Sequence, residues 1–349
     1  MNAAFDQIRV VDLSGSIAGQ YCTRLLADFG AEVLLAEPDD GSAVQRIGPF
    51  DQQGRSLTHM HINKGKKTVA FPHCADALGE LARDADVIVV AQGMTPAIEA
   101  LGIERLICVE ISPFGADGPL SKWRGNEMVY QALSGMMSNN GEAGREPLYG
   151  VGNRASYAAG VAGFISATTA LYARNRTGAG QSAHIDIAET TAAMCMPYAL
   201  QYAYNGTDRR RGDQDIPAGQ VKCRGTWVCI WIYPHRFSAM CKVLGLEHLI
   251  EDARFAHTDD RVQNWSALFE IIQQQVQDCD AEDIVARLQR AQVISACAYR
   301  PSELLDSPHL IARGYWEMHA GQDLPVLGPP FRMSGTPRTP ADLIDAEGP

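Results

Sequence analysis

The chain has 349 residues, of which 46% are hydrophobic and 20% are charged, so it can bury the core of one or two globular domains. Its formal net charge of −11 argues against nucleic acid and against an anionic membrane surface as partners. No apolar signal core lies near the first residue and no run of about 18 apolar residues occurs, so a cytoplasmic protein without a membrane span is expected.

The first two strands and the helix between them are predicted from the hydrophobic pattern. Residues 8–13 (IRVVDL) favour a buried strand, residues 20–29 a helix that ends at Gly30, and residues 31–37 (AEVLLAE) a second strand. A strand–helix–strand start implies a parallel sheet with right-handed crossovers. The first turn, SGSIAG, lacks the second and third glycines of the G-x-G-x-x-G motif, which argues against ordinary dinucleotide binding.

A cluster of lysines follows a polar loop. Lys64, Lys66 and Lys67 lie within INKGKKTVA, residues 62–70 of an otherwise acidic chain. A compact ammonium group can bind a phosphate as a point charge, and a solvated basic turn is the alternative interpretation.

Two further strands and a helix are predicted before the middle of the chain. Residues 86–90 (DVIVV) and 107–111 (ICVEI) are short apolar runs, and residues 125–135 (GNEMVYQALSG) resemble a helix of the family that is named below. Glu127 suits the start of that helix because a carboxylate complements the positive end of the helix dipole.

The stretch from Gly150 to Ala188 organises the rest of the chain. Residues 157–174 are dense in Ala, Gly and Thr and apolar nearly all round, which predicts a buried helix that ends near Gly178. Residues 184–187 (HIDI) then alternate like a strand. A buried helix that starts after a glycine-containing loop offers unpaired N–H groups, so its N-terminus is a candidate site for anionic or polar oxygen.

Two features divide the C-terminal half. Residues 206–219 are polar, rich in glycine and dense in charge, which is typical of a linker, and residues 228–232 (VCIWI) predict a strand after it. The nine cysteines of the chain show no CxxC or CxxxC spacing, so we expect buried, reduced thiols and neither a disulfide nor a metal site.

These stretches resemble the class III CoA-transferases, the CaiB/BaiF family, which also contains formyl-CoA transferases and α-methylacyl-CoA racemases. The matching segments span nearly the whole chain: VVDLSGSIAG, NKGKKTV, SPFGADGP, RNRTGAGQ and, near the C-terminus, PFRMSGTP. The resemblance implies an α/β fold in which a large domain with a parallel-sheet, Rossmann-like core accompanies a smaller α/β domain, and in which two subunits interlock as a dimer.

The resemblance also implies how the chain is divided. In the family, the C-terminal tail returns to the large domain after the small domain. We therefore predict the first part of a large domain at residues 1–205, a linker at 206–219, a small domain at 220–305 and a returning tail at 306–349.

The residue at the family's catalytic position differs in this chain. In the family an aspartate opens the long helix, four residues before a glycine; here Gly160 and residues 174–181 match without a gap, and Ser156 stands in place of the aspartate. The family reaction passes through an acyl anhydride and an enzyme–CoA thioester on that carboxylate, and a serine hydroxyl can form neither. We expect Ser156 to cap the helix rather than to act as a nucleophile.

The resemblance implies four contacts with CoA. Lys66 falls in the family's lysine-rich element, and Arg124 falls where transferases often carry a cation near the active carboxylate. Ile17 stands at a CoA-contacting position two residues before a glycine, and Gln92 stands where the family usually shows E-N-F-R-P-G. CoA or acyl-CoA is therefore expected as substrate, with no metal and no permanently bound cofactor.

The sequence leaves three functional hypotheses open. The first is the Asp-lacking subunit of a heteromeric CoA-transferase, which acts on acyl-CoA and a carboxylic acid and interlocks with itself or with an Asp-bearing paralogue. The second is a non-catalytic acyl-CoA-binding or regulatory homologue. The third is an acyl-CoA isomerase or racemase that uses other residues, since Asn126, Ser156 and Tyr233 stand at the positions of the racemase His, Asp and Glu.

Overall fold

The computed structural model describes residues 3–72, 74–213, 217–319 and 322–337 and contains a six-stranded parallel sheet. Short, largely apolar runs form four of its strands, and the two edge strands are more polar. The strands are Arg9–Leu13 (β1), Glu32–Glu37 (β2), Lys67–Ala70 (β3), Val87–Val90 (β4), Ile107–Ser112 (β5) and Ser182–Asp186 (β6). Their spatial order is β3-β2-β1-β4-β5-β6, and every neighbouring pair is parallel. This is the order of doubly wound, Rossmann-like sheets, so the predicted α/β fold with a parallel sheet is confirmed.

Helices pack on both faces of this sheet because successive side chains of each strand point to opposite faces. Val87 and Val89 of β4 belong to one apolar cluster, and Ile88 and Val90 belong to another on the opposite face. The helices are Ile17–Asp28 (α1), Leu57–Ile62 (α2), Ala75–Arg83 (α3), Thr95–Glu99 (α4), Glu127–Leu133 (α5), Arg154–Thr177 (α6), Ile187–Met194 (α7) and Met196–Asn205 (α8).

Helix α6 is longer than the hydrophobic pattern predicted. It begins at Arg154 and ends at Thr177, and Gly178 follows in the left-handed conformation, with φ 83°, that closes many helices. One side of α6 packs closely on α1 and β5, whereas Ile165 on another side is 56% exposed. The expectation that this helix is buried all round is therefore wrong for the single chain. Among the residues described, no helix combines the length and the apolar character needed to cross a membrane.

The chain separates into two compact units, Met1–Arg211 with Glu317–Pro349, and Gly212–Trp316. The predicted domain limits at residues 205, 219 and 305 stay predictions, and residues 214–216 of the predicted linker and 338–349 of the predicted tail lie outside the described residues.

The second unit is built on a three-stranded antiparallel sheet, with Phe255, Leu268 and Ile272 in its buried core. Its strands are Ala218–Lys222 (β7), Trp227–Trp231 (β8) and Ile294–Cys297 (β9), and its helices are Phe237–Leu244 (α9), Thr258–Gln263 (α10), Trp265–Val276 (α11), Ala281–Arg290 (α12) and Pro308–Ala312 (α13). Strands Trp316–His319 (β10) and Gln322–Leu327 (β11) pair as a separate ribbon.

Candidate active site

The candidate site lies at the carboxyl ends of β1 and β4. In open parallel sheets, ligands bind outside the carboxyl ends of the strands at the point where the strand order reverses, and here it reverses between β1 and β4. Ile17 begins α1 soon after β1, and Gln92 follows β4. Ile17 is 8% exposed and belongs to a small apolar cluster with Tyr157, the residue after Ser156. The fold therefore brings Ile17 close to the start of α6.

A single carboxylate joins the starts of two helices at this site. Glu127 lies in the first turn of α5, and its Oε2 and Oε1 accept hydrogen bonds from the backbone N–H groups of Ala155 (3.0 Å) and Ser156 (2.9 Å) in the first turn of α6. Asn126, the residue before Glu127, accepts a hydrogen bond from Val129 N at 3.1 Å and caps α5. The carboxylate satisfies two N–H groups that a helix start otherwise leaves unpaired, and it complements the positive end of the α6 dipole.

Ser156 is the third residue of α6 and is 9% exposed. Asn153 stands at the N-cap position, so the prediction that Ser156 caps this helix is wrong: the helix begins two residues before Ser156. Within the described residues, the Ser156 hydroxyl makes no hydrogen bond to a histidine, a lysine or any other group. None of the described residues is placed to activate this hydroxyl as a nucleophile.

The Lys66 ammonium is buried between the end of β1, helix α1 and the residue that follows α2. Its Nζ donates to Gln20 O at 2.7 Å, Asn63 Oδ1 at 2.6 Å and Asp12 Oδ2 at 3.1 Å, which uses all the hydrogens of the ammonium. Burial lowers the pKa of Lys66 to about 8, although the nearby Asp12 carboxylate opposes that shift. Lys66 is 7% exposed, so the alternative of a solvated basic turn is wrong for this lysine, and the contact of Lys66 with CoA stays a prediction.

Gln92 and Arg124 differ in whether their hydrogen-bond donors already have acceptors among the described residues. The Gln92 amide nitrogen donates to Gly115 O at 3.0 Å and Ser121 O at 2.7 Å, so both of its hydrogens hold the loop that follows β5. Arg124 is exposed, and its guanidinium makes no hydrogen bond or ion pair within the described part of the chain. Arg124 therefore remains available to an anionic ligand.

Sequence reasoning missed Arg154, the first residue of α6. Its guanidinium lies against Gly150, where a Cβ atom would come 2.5 Å from Arg154 Nη1. Gly150 is in turn held by the buried Gln131 amide, which accepts from Gly150 N at 2.7 Å and donates to Gly150 O at 3.1 Å. The signal available in the sequence is a lone arginine two residues before Ser156.

Two tyrosines that interact with Glu127 have raised pKa values. Burial raises the pKa of Tyr130 to about 12, and the charges of Glu127 and Asp186 add to the effect. Burial also raises the pKa of Tyr157, again with a contribution from Glu127, although a hydrogen bond with Asn153 acts in the opposite direction. Both phenols are neutral near pH 7 and can donate hydrogen bonds there.

A cavity of about 830 Å³ lies beside this site, at the carboxyl ends of β5 and β6. The turn Ser112–Leu120 and the start of α7 line it, together with Asp186, whose pKa is raised chiefly by burial. Within the described ranges, no group of three or more His, Cys, Asp or Glu side chains is arranged to hold a metal ion.

Tyr233, the third racemase position, lies in the second unit. Its ring stacks on His235 with ring centroids 5.8 Å apart. Asn126 caps a helix and Ser156 has no hydrogen-bond partner among the described residues, so this structure gives none of these three residues the environment of an acid or a base.

Comparisons with known proteins agree with this architecture. The model of CoA-transferase family III matches residues 5–343. The chain is 28% identical to the acetyl-CoA:oxalate CoA-transferase of Acetobacter aceti, an alignment that covers 95% of this chain and 89% of the relative. It is 25% identical to the succinyl-CoA:(R)-benzylsuccinate CoA-transferase subunit BbsE of Thauera aromatica, again over 95% and 89%. A CAIB/BAIF family protein from Brucella suis has the same fold, with a TM-score of 0.87, 24% identity and coverage of 98% of this chain and 96% of that chain.

Proposed function

The chain belongs to CoA-transferase family III, and from that membership we propose that it is the Asp-lacking subunit of a heteromeric CoA-transferase. It acts on acyl-CoA thioesters and carboxylic acids, and a paralogous chain supplies the nucleophilic aspartate. The observation that carries the proposal is Ser156, a nearly buried serine in the first turn of α6 whose hydroxyl has no hydrogen-bond partner among the described residues.

The reaction of the family explains why this residue matters. A carboxylate attacks the thioester carbonyl, the C–S bond breaks, and an acyl anhydride forms as the CoA thiolate leaves. The thiolate then attacks the enzyme's own carbonyl and displaces the first acid, and the resulting enzyme–CoA thioester passes CoA to the second acid. Each intermediate must stay reactive enough for the next step. An ester on Ser156 is less activated than an anhydride, and a serine has no carbonyl that could hold CoA as a thioester.

Exposed apolar residues support an assembly with a second chain. In α8, Leu200, Tyr202 and Tyr204 are 44%, 61% and 86% exposed, and no residue whose burial is described in this helix is buried. Exposed apolar surface of this kind marks interaction sites in soluble proteins. The T. aromatica relative is named as a subunit, which supports a heteromer with an Asp-bearing paralogue over an interlocked homodimer.

We propose four CoA contacts, namely Ile17, Lys66, Gln92 and Arg124. Arg124 is the best supported of them. Its guanidinium is exposed and unpaired within the described residues, whereas the polar hydrogens of Lys66 and Gln92 are already used. Calorimetry should show CoA binding about tenfold weaker in Arg124→Gln than in the wild type. Equal affinities would remove Arg124 from the site.

An acyl-exchange assay tests the proposal. The wild-type chain alone should show no transfer, and the wild type mixed with a co-purifying Asp-bearing paralogue should transfer CoA. Ser156→Ala should behave as the wild type does in both samples, because the hydroxyl takes no part. Robust turnover by the wild-type chain alone, retained in Ser156→Ala, would show that another residue of this chain performs the chemistry.

The same assay distinguishes the proposed subunit from the second hypothesis, a homologue that binds acyl-CoA without catalysis, which Ser156 also favours. A non-catalytic acyl-CoA-binding protein should bind acyl-CoA tightly and show no turnover with any paralogue. Ser156→Asp restores a carboxylate at the start of α6, where the helix dipole favours an anion, and exchange by that variant would show that the rest of the site is intact.

A further inference from the structure

The end of β7 lies beside the turn between α11 and α12 in the second unit. The backbone N–H of Arg224 donates to Cys279 O at 2.9 Å, and Arg224 forms an isolated parallel bridge with Asp280. In a parallel pairing the residues just before the two bridge residues are neighbours as well, about 4.8 Å apart. Those residues are Cys223 and Cys279, and this spacing lies within the roughly 4.4–6.8 Å that a disulfide needs between Cα atoms.

The side chains of both cysteines reach the same apolar core. Cys223 is 3% exposed and belongs to the core of the second unit, and Cys279 packs against that core while it stays partly exposed. Both thiols are free, and the Cys279 thiol donates a weak hydrogen bond to Gln275 O at 3.8 Å. Burial raises the pKa of Cys223 to about 11, and the nearby Cys279 adds to that shift. The charge of one sulfur therefore acts on the other, as it does between thiols that lie close together.

Two other cysteines of the second unit are placed less well to bond with Cys223. Cys297 pairs with Val228 and Val228 pairs with Val221, so β8 lies between Cys297 and the strand that leads to Cys223. Two strand spacings amount to about 9–10 Å, which exceeds the reach of a disulfide. Cys229 follows the buried Val228 in β8, so its side chain points to the opposite face of the sheet. Of the three, Cys279 is the partner that the backbone favours.

We propose that Cys223 and Cys279 form a reversible disulfide when the protein meets a small disulfide such as oxidised glutathione. This modification goes beyond the proposed function and does not depend on it. Cys279 is the thiol that reacts first because it is partly exposed, whereas Cys223 is buried and its thiolate is disfavoured.

The exchange proceeds in two steps that balance. The Cys279 thiolate attacks one sulfur of the small disulfide, whose S–S bond breaks, and one thiolate leaves. Cys223 then loses its proton and attacks the Cys279 sulfur, which expels the second thiolate. The two cysteines are oxidised by two electrons, and the small disulfide is reduced to two thiols that take up the two protons.

The cross-link would join the end of β7 to the start of α12. Asp280, the residue after Cys279, caps α12 by accepting hydrogen bonds from Glu282 N and Asp283 N, both at 3.1 Å. A disulfide between positions far apart in the sequence restricts the unfolded chain and so favours the folded one. The oxidised second unit should therefore resist unfolding better than the reduced one.

Peptide mapping by mass spectrometry tests the proposal on the full chain, with oxidised glutathione as the oxidant. The treated wild type should yield two peptides linked through Cys223 and Cys279, and dithiothreitol should separate them. Scanning calorimetry should show a thermal midpoint for the second unit that is at least about 5 °C higher in the oxidised protein than in the reduced one.

Three variants assign the two sulfurs. In Cys223→Ala the second step is lost, so Cys279 should keep one glutathione and the thermal midpoint should not rise on oxidation. Cys279→Ser, at a partly exposed position, should prevent the link as well, and it serves if the loss of the buried Cys223 sulfur disturbs folding. Cys229→Ser is the matched control, because Cys229 is also partly exposed, and it should form the link as the wild type does.

Two outcomes overturn the assignment. One is a wild-type Cys279 that ends as a free thiol or keeps its glutathione, which would show that the Cys223 sulfur does not reach it. The other is a link between Cys223 and Cys297, which would mean that β8 does not keep these two residues apart. The acyl-exchange assay is independent of both, so the proposed function stands or fails without regard to this disulfide.

Discussion

The Lys66–Asp12 pair has no exposed side-chain surface. Asp12 also accepts hydrogen bonds from Thr23 Oγ1 at 2.5 Å and Ser14 Oγ at 2.7 Å, so the carboxylate is surrounded by donors. Removal of one partner of a buried pair leaves a charge in the interior without compensation. This ion pair therefore ties the turn between β1 and α1 to a lysine that lies 54 positions away in the sequence.

Lys66→Met should lower the free energy of unfolding by about 3–5 kcal/mol, measured by urea denaturation near neutral pH. The matched control is Lys67→Met, because Lys67 is 71% exposed and its pair with Glu32, at 2.8 Å, is screened by solvent. That variant should be nearly as stable as the wild type. Equal stabilities for the two variants would contradict a structural role of Lys66.

His61 should make the protein sensitive to acid. Burial, together with the nearby cations of Arg24 and Lys64, lowers the pKa of His61 from 6.5 to about 3. Between these values the unfolded chain binds a proton at this residue and the folded chain does not, so stability falls as the pH falls from about 6.5 towards 3.

The comparison of His61→Gln with the wild type measures this effect. The free energy of unfolding of the variant should decline less steeply between about pH 7 and pH 4. His309→Gln, at an exposed position, is the control and should follow the wild-type curve. Parallel curves for His61→Gln and the wild type would mean that another group causes the acid sensitivity.

At the scale of elements, the site depends on how closely α6 approaches α1. A Cβ atom on Gly160 would lie 2.7 Å from the Ala18 carbonyl oxygen, and one on Gly163 would lie 2.9 Å from Ile111 Cδ1. Backbone atoms cannot rotate away as a side chain can, so the first contact is the stricter one. The two glycines let α6 pack against α1 and β5, which sets where the first turn of α6 lies relative to Ile17.

Gly160→Ala should destabilise the protein by about 1–3 kcal/mol, because the methyl group forces α1 and α6 apart. Gly79→Ala, inside α3, is the matched control: its nearest neighbour is Leu101 Cδ2 at 3.9 Å, and alanine favours a helix by up to about 1 kcal/mol over glycine. Chemical denaturation should therefore show opposite signs. Stabilisation by both substitutions would mean that the α1–α6 contact is looser than the structure shows.

At the scale of the whole molecule, α8 is an element that a single chain leaves uncovered, as judged from the described residues. Leu200→Asp should dissociate the proposed assembly, because a carboxylate would have to be buried in the interface without a partner. Native mass spectrometry should show at least two chains for the wild type and one for Leu200→Asp. Leu200→Met, which keeps an apolar side chain, should assemble normally. A single chain for the wild type would contradict the assembly.

Local patterns were sufficient to predict much of the fold. Residues 8–13, 86–90 and 107–111 were predicted as strands and correspond to β1, β4 and β5, since a short apolar run between turns is a property of consecutive residues. The strand–helix–strand start predicted the parallel sheet, because the order of these elements can also be read from consecutive residues. The matched motifs around Gly160 placed residue 156 near the start of α6, but the helix limits differed because end positions depend on partners elsewhere in the chain.

What the sequence determined by itself is the family, the parallel sheet and the serine at position 156, because composition, period and motif spacing can be read along the chain. The tertiary structure decided which polar groups meet. Glu127 reaches Ser156 across 29 positions, Lys66 reaches Asp12 across 54, and Gln131 holds Gly150 across 19. A polar side chain looks the same in the sequence whether it faces solvent or an interior partner, and only the packing of distant segments selects one. That selection buried Lys66 and left Arg154 beside Gly150 without an acidic partner among the described residues.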